Sequence, residues 1–346
     1  MNLIVGLDVS LAMTAVCVLN ARGQIVREAK VESNPDALLG FFRDLDACDP
    51  SVGLEAGPLS QWLYRHLREA GYDVTLMETR QVKGALKAMP VKTDRRDAEG
   101  IARLLHMGWF RPVHCKSLSA QEMRAVLSAR KSVKKAALDI ELSVRGVLRN
   151  FGLKMGQVAV GRFDARVRDL IADNPMLMAA AEPLLQARAN LRRELARLER
   201  LLRDMVKADP PCRLMMTMPG IGPVVALTMR AAIDDPTRFR SSKDVGPWAG
   251  LTPSRYQSGE RDVIGAITRA GDAGVRAALF QAATVMLNRG AKSWLTAWAQ
   301  KVAGRRGRKR ATVALARRIG VILHRMWSDG TEFRFTRTVD VNTAVA

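Results

Sequence analysis

Two short apolar runs end on acids, Leu3-Ile4-Val5-Gly6-Leu7-Asp8 and Val52-Gly53-Leu54-Glu55. Both are too short for a helix of ordinary length, and both read as strands. Ala15–Leu19 follows the first as a second strand, Asn20-Ala21-Arg22-Gly23 as a turn and Ile25–Val31 as a third strand. A short helix after Asn34-Pro35 carries Leu38, Leu39, Phe41, Phe42 and Leu45 on its apolar face. After the strand Ser51–Glu55 come a helix over Leu59–Ala70 stopped by Gly71, a strand over Asp73–Met77 and a mostly helical stretch from Gln81 to Met107, broken at Pro90. Three consecutive strands followed by alternating helices and strands confine this part of the chain to an α/β fold.

A second pair of acids lies in Val91-Lys92-Thr93-Asp94-Arg95-Arg96-Asp97-Ala98, which reads as helix. Asp94 and Asp97 are three residues apart and so share a helical face. Two acids at strand ends and two on a helix can converge on hard divalent cations. A site rich in carboxylate oxygens suits magnesium, which keeps waters and substrate phosphates among its ligands. One or two such ions are the usual device for phosphodiester chemistry.

The charge balance points the same way. The chain of 346 residues has a net charge of +21 and a pI near 10.7, which favours a polyanionic partner, most simply nucleic acid. Residues 1–60 hold eight acids against four bases, a net of −4, so the other 286 residues carry +25. An acidic start joined to a basic remainder fits a metal-binding lobe followed by lobes that grip nucleic acid. Cys17, Cys48, Cys115 and Cys212 are scattered, with no Cys-x-x-Cys, which argues against a disulfide framework or a zinc ribbon. No run approaches the roughly 20 apolar residues of a membrane span. Met1 passes at once into a strand with no basic leader, so a cytoplasmic, nucleoid-associated protein is expected.

Residues 117–150 and 183–207 read as long helices. Leu191, Leu198 and Met205 recur every seven residues with Leu195 and Leu202 between them, and Arg188 interrupts the seam. That pattern fits either a helical hairpin within one chain or a coiled-coil contact between protomers. Asp209-Pro210-Pro211 is a breaker. Pro219-Gly220-Ile221-Gly222-Pro223 then resembles a helix-hairpin-helix turn, whose free backbone N–H groups at Gly220 and Gly222 can hold a DNA phosphate. A Ser-Gly loop, Gln257-Ser258-Gly259, is flanked by Arg255, Arg261 and Arg269, which could place a hydroxyl beside a bound phosphate. Ser254 lies only four residues away. Gly304-Arg305-Arg306-Gly307-Arg308-Lys309-Arg310 is a basic run suited to nucleic-acid backbone contact. The expected organisation is a metal-binding domain over 1–115, a helical or coiled-coil linker over 116–210, a serine-bearing domain over 211–337 and a disordered tail over 338–346.

The order of elements in the first domain resembles the ribonuclease H-like fold. Two groups of motifs together resemble one family. The first is Gly53-Leu54-Glu55-Ala56-Gly57, Glu78-Thr79-Arg80 and Lys92-Thr93-Asp94-Arg95-Arg96-Asp97-Ala98. The second is Pro219-Gly220-Ile221-Gly222, Gly250-Leu251-Thr252-Pro253, Gln257-Ser258-Gly259 and Ile267-Thr268-Arg269-Ala270-Gly271-Asp272. They are similar to the insertion sequence one-hundred-and-ten family of transposases, related to the Piv invertase. The resemblance implies a RuvC-like DEDD domain and a mainly helical carboxy-terminal domain bearing a nucleophilic serine. It also implies a noncoding bridge RNA pairing with donor and target DNA, and a dimer or tetramer whose acids and serine meet in a composite site.

The expected chemistry is DNA strand transfer. Asp8, Glu55, Asp94 and Asp97 hold one or two Mg2+ ions, Ser258 attacks phosphorus, and Arg255, Arg261 and Arg269 neutralise phosphate. Three alternatives compete: a RuvC-like structure-specific nuclease with no covalent intermediate, a sugar-kinase or actin-like ATPase, and a non-catalytic nucleic-acid-binding protein. The ATPase fits poorly with the basic charge and lacks a second Gly-rich phosphate loop.

Overall fold

The computed structural model describes all residues except 1–2, 46–49, 88–91, 290–291 and 337–346. Cys48, the expected break at Pro90, the start of its motif at Val91 and the expected tail at 338–346 lie outside the described residues. The chain forms two compact units, Met1–Lys116 and Ser117–Ala346. The boundary expected after residue 210 falls inside the second unit.

The first unit runs β1 (Ile4–Val9), β2 (Met13–Leu19), β3 (Ile25–Glu32), α1 (Pro35–Arg43), β4 (Ser51–Glu55), α2 (Ser60–Glu69), β5 (Asp73–Met77), α3 (Thr79–Leu86) and α4 (Asp94–His106). Its sheet has the order β3-β2-β1-β4-β5. The pairs β1–β2 and β2–β3 are antiparallel, whereas β1–β4 and β4–β5 are parallel. A meander followed by two parallel strands, with β1 at the centre, is the ribonuclease H-like layout expected from the sequence. Strand alternation gives the sheet two apolar faces. On one, Val5, Leu7, Val16, Val18, Val52 and Leu54 pack with Leu38, Phe41 and Phe42 of α1 and Leu63 and Leu67 of α2. On the other, Ile4, Ala15, Cys17 and Leu19 pack with Ala98 and Ala102 of α4.

In the second unit, α5 (Leu118–Asn150) is followed by α6 (Phe163–Leu170) and α7 (Pro175–Ala208). The helix expected from residue 183 begins eight residues earlier, because the Asn174 side chain accepts from Leu177 N and Pro175 occupies the first turn. Pro183 is accommodated inside the helix. Arg130 pairs with Glu199 at 2.7 Å and Glu141 with Arg188 at 2.9 Å, so α5 and α7 run antiparallel. The heptad seam is therefore a hairpin within the chain, with Leu195 and Leu202 buried.

Arg188, the residue that interrupts the seam, is 4 % exposed. Its guanidinium donates to Glu141, to Asp164 at 2.8 Å and to Val160 O at 2.8 Å, and lies 4.5 Å from the Phe163 ring centre. It ties α5, α7 and the connection between them. Burial pushes the Glu141 carboxyl up, but hydrogen bonds from Arg192 and Arg188 outweigh that and hold it below its ordinary value.

Beyond the hairpin come α8 (Pro210–Met215), α9 (Pro223–Ile233), α10 (Val245–Trp248), β6 (Pro253–Ser258), β7 (Arg261–Ile267), α11 (Ala273–Arg289), α12 (Trp294–Arg306) and α13 (Arg308–Asp329). The core joins Met123 of α5 and Leu202 of α7 to residues of α8, α9, α11, α12 and α13.

Candidate active site

Glycine lets α4 lie directly on the sheet. A Cβ on Gly6 would fall 2.2 Å from Ala98 O and 2.4 Å from Ala102 N, and one on Gly53 would fall 2.7 Å from Met77 Cε. Gly6 pairs with Gly53 across β1 and β4. Two residues on, the strand period returns Asp8 and Glu55 to the same face. The helix seated on that face begins at Asp94, with Thr93 as its N-cap and Asp97 in its first turn. Both acids are favoured there by the helix dipole. The short path from Gly6 to Asp8, and from Ala98 back to Asp97, brings strand acids and helix acids together.

The electrostatics record that convergence. Asp8 is raised from 3.8 to about 6, first by burial and then by the charges of Asp97, Asp94 and Glu55, with Lys92 pulling the other way. Glu55 is also raised, chiefly by burial, with Asp97 adding to it; Lys83 and the Thr79 hydroxyl oppose the shift. Lys30 Nζ lies 3.8 Å from Asp94 and Lys92 Nζ 3.9 Å from Asp97. The site thus sets the charges of three carboxylates against Asp8, with Lys92 relieving part of that repulsion. Among the described residues no three His, Cys, Asp or Glu side chains are placed so that they could together hold a metal ion. The donor set nevertheless fits a hard divalent cation, since all four groups are carboxylates and an added positive charge would relieve Asp8.

Lys30, Lys83, Lys92 and Thr79 were not singled out as site residues from sequence. Lys92 could have been, since it opens the Lys-Thr-Asp motif. A further signal is the repeat of Val-Gly-Leu-acid, Val5 to Asp8 and Val52 to Glu55, which marks two adjacent parallel strands delivering acids to one face.

Ser258 belongs to the second unit. The loop expected around Ser-Gly is a two-stranded antiparallel hairpin, β6–β7, exposed along almost its whole length. Ser258 closes β6 directly opposite Arg261. The two-residue turn Gly259-Glu260 has Gly259 at φ 55°, the residue and position that a type II′ hairpin requires. Among the described residues the Ser258 hydroxyl has no hydrogen-bond partner. Ser254 differs, because its hydroxyl donates to Ala266 O at 3.1 Å, and a Cβ on Gly265 would meet it at 2.5 Å. Arg255 is held by Asp262 through two bonds of 2.8 and 2.7 Å, so the cation expected to meet phosphate is already paired.

The hairpin's base is clamped. Thr268 N donates to Thr252 O at 2.9 Å and Arg269 N to Gly250 O at 3.1 Å. A Cβ on Gly271 would fall 1.9 Å from Trp248 O, so the two arms cross where only glycine fits. Arg269 has φ 54°, an uncommon conformation for a non-glycine residue. Asp272 then starts α11, accepting from Gly274 N and Val275 N. Burial raises its carboxyl, but Arg124 at 2.9 Å and these amides bring it below the ordinary value.

Gly220 and Gly222 lie in the turn between α8 and α9. Gly220, at φ 82°, packs against Ala282 O and Met286 of α11, so its small size serves packing. Gly222 caps α9 and has open space beside it. The basic run is divided by Gly307 at φ 80°. Arg305 and Arg306 end α12, where the dipole favours cations, whereas Arg308, Lys309 and Arg310 open α13, where it opposes them and the first turn holds no acid. Arg308 donates to Asn288.

Residues 212–300 match the model described as the Transposase IS116/IS110/IS902 family, and residues 5–152 match the DEDD transposase model of IS110 type. The transposase for insertion sequence element IS1111A of Coxiella burnetii is 26 % identical over 92 % of this chain and 88 % of its own length. A Pseudomonas aeruginosa protein assigned to the family 20 transposases is 29 % identical over 85 % of this chain and 88 % of its own length. A solved Thermus thermophilus RuvC, in complex with a Holliday junction substrate, covers 33 % of this chain and all of its own, at 17 % identity and a TM-score of 0.24, too loose a likeness to bear on the fold. Among the described residues no helix is long and apolar enough to cross a membrane. The family models match in chain order, one over the acid-bearing sheet and on through α5, the other over the serine-bearing hairpin, and the chain belongs to the IS110 family of insertion-sequence transposases.

Proposed function

We propose that this protein cuts and joins DNA strands through a phosphoserine intermediate, with Mg2+ held by Asp8, Glu55, Asp94 and Asp97. The observation that carries the reading is Asp8 at the end of β1, pushed up to about 6 by burial and by the charges of Asp97, Asp94 and Glu55. One or two Mg2+ ions there would stabilise the charge that develops on the scissile phosphate and the departing oxygen. Ser258 Oγ forms a bond to phosphorus and loses its proton. The bond from phosphorus to the 3′-oxygen breaks, and that oxygen leaves as a hydroxyl after taking up a proton. A 3′-hydroxyl of the partner strand then attacks the phosphoserine, restoring a phosphodiester and freeing the serine. The ester conserves the bond energy, so joining needs no ATP.

The unpartnered hydroxyl of Ser258 supports its role over Ser254, whose hydroxyl is committed to the strand backbone. Arg261, opposite Ser258, and Arg269 at the hairpin base serve phosphate neutralisation, with Arg255 acting through its pair with Asp262. Gly222 and the run from Arg305 to Arg310 contact nucleic-acid backbone, and Gly220 shapes the turn that presents Gly222. A bridge RNA supplies target choice by pairing, and the active form is a homo-oligomer.

The test is adduct formation on a DNA substrate in Mg2+. Wild type and Ser254→Ala are expected to yield a denaturation-resistant protein–DNA adduct mapping to Ser258, and Ser258→Ala none. Cleavage at the parental rate by Ser258→Ala would establish the hydrolytic nuclease instead.

A further inference from the structure

The surface shared by α12 and α13 is aromatic and basic, and the strand-transfer reaction leaves it unused. Trp294 and Trp298 stand one turn apart on α12. The Arg318 guanidinium of α13 lies over both rings, 5.3 Å and 4.3 Å from their centres. Trp298 and Arg318 together form a wall common to two clefts. One cleft, of about 560 Å³, is completed by Lys243, Thr252 and Arg317 among others. The other is completed by Trp294, Ala297 and Lys301. Among the described residues no carboxylate lines either cleft. Arg317 is seated by its stem, since a Cβ on Gly246 would lie 3.1 Å from its Cγ. Lys243, Lys301 and Arg317 are exposed, and Trp298 is half-buried.

This chemistry selects its ligand. Half-buried indole rings braced by a guanidinium present flat apolar surface, and cations without acids attract a polyanion. A polymer with both a π-face and a phosphate at each repeat is a nucleic-acid strand. In a duplex the base faces are covered by their neighbours, so only an unpaired strand can use the tryptophan. The larger cleft has the volume of an ordinary small-molecule site, which suits one base with its sugar. Thr252 lines it and immediately precedes β6, the strand that ends at Ser258. Six residues of extended chain span about 20 Å, so a strand leaving the cleft along β6 reaches the serine within a few nucleotides.

We propose that the α12–α13 cleft holds an unpaired stretch of the DNA strand being transferred, one base stacked on Trp298 and its phosphates on Lys243 and Arg317. The assignment to DNA rests on the strand-transfer reading, because the strand that Ser258 attacks is DNA.

Equilibrium binding of the full chain to a 12-nucleotide oligodeoxythymidylate carrying one 2-aminopurine tests it. Trp298→Ala is expected to weaken binding about 5- to 100-fold and to abolish the change in 2-aminopurine fluorescence. Trp298→Phe, which keeps a ring in the core, should retain most of both. Arg317→Gln should reduce the salt slope by about 0.7. Equal thermal melting of the variants and wild type separates these losses from unfolding. Unchanged binding by Trp298→Ala and Arg317→Gln overturns the proposal and leaves the transposase reading standing. An equal loss on duplex DNA overturns the stacked base, and tighter, equally tryptophan-dependent binding of the matching oligoribonucleotide overturns the assignment to DNA. A wild-type protein that binds no nucleic acid sinks this inference and the strand-transfer reading together.

Discussion

A carboxylate raised to about 6 in the folded chain, against an ordinary 3.8, binds more protons folded than unfolded between those values. Asp8 therefore contributes stability that is fully present below pH 3.8 and is lost as pH rises through about 6. After allowance for solvent screening, its ionised form costs roughly 1–2 kcal/mol at neutral pH. Asp8→Asn should thus raise the melting temperature at pH 7.5 and change it little at pH 4, while abolishing strand transfer. Millimolar Mg2+ should stabilise the wild type at pH 7.5 more than Asp8→Asn, because binding to the folded state alone adds stability by mass action. Calorimetry at the two pH values, with and without the ion, checks both. Equal Mg2+ responses would remove Asp8 from the ligand set.

At the scale of elements, the packing of α4 on β1 decides whether four acids make one site. Gly6→Ala places a methyl 2.2 Å from a helix carbonyl, so α4 must retreat. A loss of about 3 kcal/mol is expected, with metal-dependent activity gone although every acid is present. Gly40, inside α1 with nothing within 4 Å of its Cβ position, provides the contrast. Gly40→Ala should gain about 0.5–1 kcal/mol. Urea denaturation of the pair tests the opposite signs. In the helical hairpin, Arg188→Ala strips a buried cation from Glu141 and Asp164 and should cost about 3 kcal/mol or more. Since Glu141 is held below its ordinary value, its contribution is present above that value and lost as pH falls. The penalty of Arg188→Ala should therefore shrink in acid, as denaturation at pH 7 and pH 4 would show.

For the whole molecule, a net charge of +21 concentrated beyond residue 60 implies salt-sensitive DNA binding. Replacing Arg305, Arg306, Arg308, Lys309 and Arg310 with Gln should lower the slope of log K against log salt on duplex DNA by up to about 4. An unchanged slope in a filter-binding titration would place the backbone contacts elsewhere. The same substitution should raise thermal stability slightly, because three of these cations oppose the dipole of α13.

Hydrophobic period acts over a few residues, so the strands of the first unit and the breaker at Asp209-Pro210 were legible in the chain itself, whereas Thr93, read as helix, caps α4 instead. The acids were legible too, because carboxylates closing apolar runs are conspicuous. Pairing partners are a different matter. Whether the seam around Leu195 met another protomer or α5 depended on ion pairs 47 and 69 residues apart in sequence. The exposed hairpin around Ser258 has little apolar alternation to announce it, and the pairing of Arg255 with Asp262 across it appears only once its register is known. The amino-acid order alone determined which charged and nucleophilic groups the chain can offer, since charge and nucleophilicity belong to side chains. Only tertiary packing decided that the charges of Asp97, Asp94 and Glu55 bear on Asp8, because Coulomb coupling depends on distance, and two glycines set how closely α4 approaches the sheet.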